Sequence, residues 1–465
     1  MKLKYIPSLD KEFAPLSVLV REMRAKTAKK GTDVSIAVER TNGAVSVYRT
    51  RILPECRRNE QKNRDFIERL TKALLWVSGG FKITVSGSRS VGEYIKSCYT
   101  RSGLRAFDVD FFETVYERPF EVVVTDLKDA PSEKSGAADT GKNFDGMRIG
   151  FDAGGSDRKV SAVIDGVPVY SEEVVWHPKV NADPDYHFNG IYDAFKTAAS
   201  KMPRVDAIGV STAGVLIDNR PMVSSLFLKV PQELKKEKVQ PIYLNAAKKL
   251  GEELGYEIPI EVANDGDVTA LAGAINLDDN AILGIAMGTS EAGGYVDRDG
   301  RVTGKINELA FVPVDADPGA AVDEWSGDYG CGVKYFSQDG VIKLGNAAGI
   351  DFSGAETPAE KLKIVQALME NNDPRAEEIF RDIGIYFGYA IPFYCEFYDV
   401  SHVLIMGRVT SGRGGEFLLE TADKVLKDEF PDIAAKVKLH IPDEKSRRVG
   451  QSVAAASLPK IGPRA

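Results

Sequence analysis

Two short stretches constrain this chain more than any other feature: Phe151-Asp152-Ala153-Gly154-Gly155-Ser156 and Met287-Gly288-Thr289-Ser290-Glu291-Ala292-Gly293-Gly294. Each follows an apolar, strand-like run (147–151 and 281–286). Each then breaks into small residues and resumes as a strand ending in a turn, at Asp165-Gly166 and Asp299-Gly300. A strand, a turn of Gly, Ser and Thr, and a second strand make a β-hairpin whose tip offers backbone N–H groups and a hydroxyl at close range. Such a tip suits a phosphate, because glycine lets the backbone approach with no Cβ in the way. One such hairpin is weak evidence. Two of them, with a carboxylate in the first and Asn264-Asp265 between, point to phosphate chemistry.

At 465 residues the chain is too long for one core and is expected to divide into two or three domains. A formal charge of −8 argues against wholesale binding to nucleic acid or acidic membranes. Cys56, Cys98, Cys331 and Cys395 lie far apart with no paired spacing, which fits reduced thiols better than a disulfide framework. The first ten residues lack the apolar core of a signal peptide, and no apolar run is long enough to span a bilayer. The expectation is a soluble cytoplasmic protein.

The clearest boundary is the stretch 126–145, rich in Lys, Asp, Ser, Gly and Ala and without helical or strand periodicity. It reads as a linker or mobile loop following an N-terminal α/β domain (1–125) of unknown role. Beyond it, strand-like runs at 147–151, 160–164, 207–211, 258–262, 281–286, 293–296 and 402–406 are interspersed with helical patterns. Those helices fall at 191–201, 243–254, 357–371, 375–398 and 416–429, with Pro392 predicting a kink or break in the fourth. Hairpins mixed with crossover helices imply layered α/β sheets. The small, apolar tail 449–459 predicts a closing helix packed tightly on a sheet.

Residues 1–119 carry 23 Lys and Arg against 14 Asp and Glu. Such an excess serves either nucleic-acid contact or a basic face docked on an acidic partner domain. The absence of a helix–turn–helix signature or of interleaved aromatic and basic residues favours docking. The order hairpin, helix, strand, Ser86-Gly87-Ser88 within 34–88 also echoes the order within 147–214, which suggests a decayed internal copy.

With these pieces placed, the region 147–459 resembles the ROK family (repressors, open reading frames and sugar kinases) of the actin-like ATPase superfold. Asp152-Ala153-Gly154-Gly155-Ser156 resembles its first phosphate loop, and residues 207–214 its sugar-side strand and glycine loop. Ala263-Asn264-Asp265-Gly266-Asp267 resembles the catalytic element, Gly288-Thr289-Ser290 the second phosphate loop, and Asn307-Glu308-Leu309-Ala310 the Gly-Glu element after it. Val403-Leu404-Ile405-Met406-Gly407 resembles the adenosine-side strand and turn. The resemblance implies a two-lobed α/β fold of ribonuclease H-like type, with residues 147–275 and 449–465 in the first lobe and 276–448 in the second. It implies an ATP- and Mg²⁺-dependent sugar kinase, a homodimer, with sugar and nucleotide as its partners and neither membrane nor nucleic acid among them.

The roles follow chemically. A sugar hydroxyl is a poor nucleophile, so a base must take its proton; Asp265 at a strand end is the candidate, with an Asx turn or helix cap as the bland alternative. Asn264, Glu308 and Gly214 are the candidate sugar contacts, and Asp267 reads as structural. Asp152 would orient Mg²⁺ through water. Gly154, Gly155, Ser156, Gly288 and Thr289 would wrap the phosphates, with Gly407 near adenine or ribose; Lys159 is either a further cation or a surface lysine.

Several positions depart from the family pattern. Phe311 stands where many members have a zinc-binding His, and only Cys331 remains in the cysteine cluster region, so no structural zinc is expected. Val333 stands where a second sugar-contacting Glu is usual, with Glu324, Asp328 or Lys334 as substitutes to be tested, and Arg408 replaces a glycine. A catalytically weak sugar-binding regulator or sensor of the same fold is therefore the alternative to the kinase.

Overall fold

The computed structural model describes residues 2–136, 140–442 and 444–461, with the backbone alone for 444–449. Of the expected segments, residues 137–139 of the linker and 462–465 of the first lobe lie outside the described residues. The chain divides into two compact units. A central unit comprises Ala137–Gly284, Gly294–Thr303 and Pro442–Ala465; a second comprises Met1–Gly136, Ile285–Gly293 and Gly304–Ile441.

The central unit is built on a five-stranded sheet in the order Ile260–Asn264, Ala207–Thr212, Met147–Ala153, Asp157–Ile164, Val167–Val175. The first three strands are parallel and the last three form an antiparallel meander. The strand expected from 258 starts at Ile260, just after Pro259, which has no N–H to give a ladder. The sequence reading missed the edge strand Val167–Val175 because Pro168 and the pair Glu172-Glu173 interrupt its apolar pattern; an edge tolerates both.

Helices Pro184–Ala199 and Ile242–Leu254 pack together on this sheet, enclosing Phe151, Phe195, Val210 and Tyr243 in the core. The first of them starts before the expected 191, because Asp183 caps it and Pro184 occupies its first turn. The expected closing helix forms over Glu444–Ala456, against Asp265–Leu277 and the two central strands. The approach is close enough that a Cβ on Gly150 would run into the Ser452 carbonyl, and one on Gly209 into that of Ala455.

The second unit holds a sheet in the order Val45–Ile52, Thr32–Glu39, Lys82–Ser86, Glu121–Thr125, with helices Glu60–Ser78 and Arg89–Cys98 packed together beside it. Here Thr32–Glu39 pairs antiparallel with Lys82–Ser86. The corresponding strands of the central unit, Met147–Ala153 and Ala207–Thr212, pair in parallel. The internal copy expected from the sequence is therefore dismissed: strand direction differs, and Val167–Val175 has no counterpart between Val45–Ile52 and Glu60–Ser78.

Strands Glu291–Val296, Ile282–Met287, His402–Met406 and Lys438–His440 form another sheet in that order. Helices Pro374–Tyr394 and Arg413–Glu429 pack on each other in the second unit, and Pro374–Tyr394 runs through Pro392 for a further two residues rather than breaking before it. Basic residues of the first hundred are matched by acidic ones later in the same unit. Arg21 pairs with Glu429 at 3.1 Å, and Arg24 pairs with Glu396. Lys134, in the expected linker, exchanges both backbone hydrogen bonds with Val45 (3.0 and 2.9 Å).

Candidate active site

In the central unit the predicted residues gather at the C-terminal ends of the parallel strands. Asp152 lies at the end of its strand, buried, and its Oδ1 accepts the Ser211 hydroxyl at 2.8 Å. Burial pushes its carboxyl up to about 6, against the Ser211 hydrogen bond and the Lys159 charge, with the charge of Asp265 adding to the upward push. The turn Gly154-Gly155-Ser156 follows directly. Gly155 and Ser156 are exposed, and the Ser156 hydroxyl donates to Asp157 Oδ2 at 3.2 Å.

Asp265 opens the helix Asp265–Leu277, and the cap is its neighbour: Asn264 Oδ1 accepts the Gly266 N–H at 2.7 Å. Asn264 is thus the cap, and Asp265 stands at the first helical position. Asn264 Nδ2 donates to the Gly214 carbonyl at 2.8 Å, tying the loop after Ala207–Thr212 to the start of the helix. Each amide group of Asn264 keeps one further hydrogen-bonding position. Gly214 sits at φ 120°, with the Val223 carbonyl so near that no Cβ fits. Asp265 Oδ1 accepts the Gly266 N–H at 3.0 Å, which leaves Oδ2 for a ligand. Burial holds its carboxyl above the usual range, offset by the Gly266 N–H and by the charge of Lys179. Buried Asp267 accepts the Tyr295 N–H at 2.9 Å and fixes the start of the helix, the structural role expected of it.

In the second unit, Thr289 and Ser290 form the exposed tip between Ile282–Met287 and Glu291–Val296. Gly288 donates to the Ser290 carbonyl at 3.0 Å and accepts the Gln338 N–H at 2.8 Å. Gly407, at φ 102°, passes so close to the Met287 backbone that no Cβ fits. Glu308 is half-buried, and its backbone N–H donates to the carbonyl of Trp76 at 3.1 Å.

No protein-family model and no curated protein matches the sequence. Solved structures do match. A ROK hexokinase from Thermus thermophilus shares 20% identity at a TM-score of 0.50, over 67% of this chain and 96% of the hexokinase. A ROK family transcriptional regulator, a homologue of the E. coli MLC protein, shares 18% identity at a TM-score of 0.50, over 68% of this chain and 79% of the regulator. The chain has the ROK fold. At these identities the likeness establishes the fold and not the chemistry.

Within that ROK fold, the departures noted in the sequence acquire physical reasons. Asp328 cannot stand in for the sugar-contacting Glu, because it is buried among three cations: Arg69 (3.0 and 3.1 Å), Lys72 (2.6 Å) and Arg105 (2.9 Å). Lys334 is paired with Glu324 and with Asp339 (3.0 Å). Phe311 packs tilted against Trp76, ring centroids 4.3 Å apart, and the buried Cys331 sulfur lies 3.7 Å from Lys72 Nζ. Burial pushes that thiol up to about 12. Lys159 gives its charge to Asp157 at 2.7 Å.

Sequence reasoning also missed residues near the first loop. The Trp176 indole N–H donates to the Gly154 carbonyl at 2.8 Å, and the Lys179 side chain lies over Gly155. No local signal marks either. Both reach the loop from the far end of the meander.

Proposed function

We propose that this chain is an ATP-dependent sugar kinase, transferring the terminal phosphoryl group to a hydroxyl of a hexose or hexose derivative. The observation that carries the reading is the pairing of roles in the central unit. Asp265 keeps one carboxylate oxygen for a ligand, while Asp152, near enough to feel its charge, sits beneath a glycine turn. In the reaction Asp265 Oδ2 takes the hydroxyl proton, the sugar oxygen bonds to the terminal phosphorus, and the bond from that phosphorus to the bridging oxygen breaks, releasing ADP. Asn264, Gly214 and Glu308 orient the sugar. Gly154, Gly155, Ser156, Gly288 and Thr289 offer N–H and hydroxyl groups to the phosphates, and Gly407 gives the adenosine room.

The residues fit a hydrated Mg²⁺. Asp152 supplies a hard carboxylate oxygen, and this ion commonly takes one or two carboxylates, water and substrate phosphates. Among the described residues no group of three or more His, Cys, Asp or Glu is arranged to hold a metal ion by itself, as a fully protein-ligated site requires. When bound, the ion would neutralise phosphate charge. Family resemblance adds a homodimer and a cytoplasmic location to the proposal. Among the described residues no helix is long and apolar enough to cross a membrane.

The second reading, a sugar-binding regulator with weak or no turnover, is favoured by one observation. By family resemblance, buried Val333 stands where a polar sugar contact is usual, and its candidate substitutes Asp328, Lys334 and Glu324 are held in ion pairs. A panel of sugars with ATP, followed by ADP release, separates the two. Turnover that falls about 10²- to 10⁴-fold in Asp265→Asn, with sugar affinity kept, supports the kinase. Sugar binding without turnover in the unaltered protein supports the regulator.

A further inference from the structure

The loop after the meander carries a cation directly over the first phosphate turn. The strand Val167–Val175 hands the chain to Trp176, whose backbone N–H donates to the Ser156 carbonyl at 3.1 Å and whose indole N–H donates to that of Gly154 at 2.8 Å. The turn Pro178–Val180 is then held by buried His187, whose Nε2 lies 3.0 Å from the Pro178 carbonyl and whose Nδ1 lies 2.9 Å from that of Asp183. Two clamps thus fix the loop on either side of Lys179. Its side chain crosses Gly155 so closely that a Cβ there would lie 2.6 Å from Lys179 Cε and 2.9 Å from Nζ. The absence of a side chain at Gly155 makes room for the lysine. Its charge also reaches Asp265. Lys159, the nearest lysine in sequence, is engaged by Asp157.

We propose that Lys179 is the phosphate-binding cation of the first loop, contacting the β- and γ-phosphates of the nucleotide from the meander side. This rests on the kinase reading and names a residue outside the glycine motif for part of it. Phosphoryl transfer asks the protein mainly for positioning and charge neutralisation, and an ammonium held over a turn of backbone N–H groups supplies both. A neutral ligand, or a nucleotide with a single phosphate, would gain little from it.

The test is equilibrium binding of ATP, ADP and AMP with Mg²⁺ to the full chain and to Lys179→Met, Lys179→Arg and Lys159→Met, with sugar turnover measured alongside. Lys179 is exposed, so these variants are expected to melt with the unaltered protein. Lys179→Met should weaken ATP and ADP by roughly 10- to 100-fold while changing AMP by less than about three-fold. Lys179→Arg should recover most of the loss, and Lys159→Met should leave the discrimination between ADP and AMP in place. Equal loss for all three nucleotides, or ATP affinity unchanged in Lys179→Met while the unaltered protein turns sugar over, overturns the assignment of Lys179 and leaves the kinase reading standing. An unaltered protein that neither binds ATP nor turns over sugar overturns both.

Discussion

The backbone N–H of Glu308 donates to the carbonyl of Trp76 at 3.1 Å, and that of Asn307 to the carbonyl of Val77, also at 3.1 Å. The last carbonyls of a helix have no partner within it, so the end of Glu60–Ser78 uses its free acceptors to hold a candidate sugar contact. The Trp76 ring is fully buried against Phe311 and Phe112. Trp76→Ala should cost about 3–5 kcal/mol of stability. In the surviving folded protein KM for sugar should rise several-fold while KM for ATP moves by less than about two-fold. Denaturant titration and steady-state kinetics check both halves, and parallel rises in the two KM values would count against the link to Glu308.

Asp328 joins the same helix to the later part of the second unit, and its buried carboxylate faces Arg69, Lys72 and Arg105. Removing it leaves those cations with Glu68 and Asp108 as their nearest buried acids. Breaking a buried network from one side costs about 3–5 kcal/mol, because the surviving charges stay desolvated. Asp328→Ala should lose stability on that scale in urea titration; a loss below about 1 kcal/mol would mean that water already reaches the cations.

Gly288 separates folding from phosphate approach. A Cβ there would meet nothing nearer than the Ser290 carbonyl at 3.8 Å, and its φ is not left-handed, so alanine fits the folded chain. At Gly407 alanine would collide with the Met287 backbone. Gly288→Ala should therefore keep its melting temperature within about 2 °C, while ATP affinity falls about ten-fold because the new methyl group stands where phosphate must come close. Calorimetric melting with nucleotide titration decides it. A variant that keeps full ATP affinity would remove the second turn from the phosphate site.

The elements legible in the sequence were those with local causes. Apolar runs broken by Gly and Ser locate both hairpins, and the residue pattern alone puts Asn264-Asp265 at a strand end. The tail was readable as a helix, and Gly150 and Gly209 carried the unread half of that signal, since an isolated glycine in a strand marks a close backbone approach. What stayed hidden depends on contacts between distant parts of the chain. Asp328 looks like any surface Asp until Arg69, Lys72 and Arg105 surround it. Lys179 looks like any loop lysine until the meander folds it over Gly155. The apparent internal copy failed for the same reason: strand direction is set by which partner a strand finds, and the edge strand Val167–Val175 has no counterpart in the first segment.

Glu291, beside the exposed tip of the second turn, makes stability depend on pH. It is buried, its Oε1 accepts the Tyr394 hydroxyl at 3.1 Å, and its Oε2 has no hydrogen-bond partner. Burial pushes its carboxyl from 4.5 up to about 8. Below pH 4.5 the group is protonated in folded and unfolded chains alike, and its neutral form sits in the core at no ionic cost. Between that value and about 8 the unfolded chain releases the proton while the folded chain keeps it, so stability falls as pH rises, by up to about 1.4 kcal/mol per unit. Above about 8 the folded form ionises too, and the decline levels off. Glu291→Gln keeps the shape and the Tyr394 contact but cannot titrate. Its stability, measured by urea titration across this range and subtracted from that of the unaltered protein, should leave a slope of this sign. Parallel curves for the two proteins would show that Glu291 is ionised in the fold and that a compensating charge or water reaches Oε2.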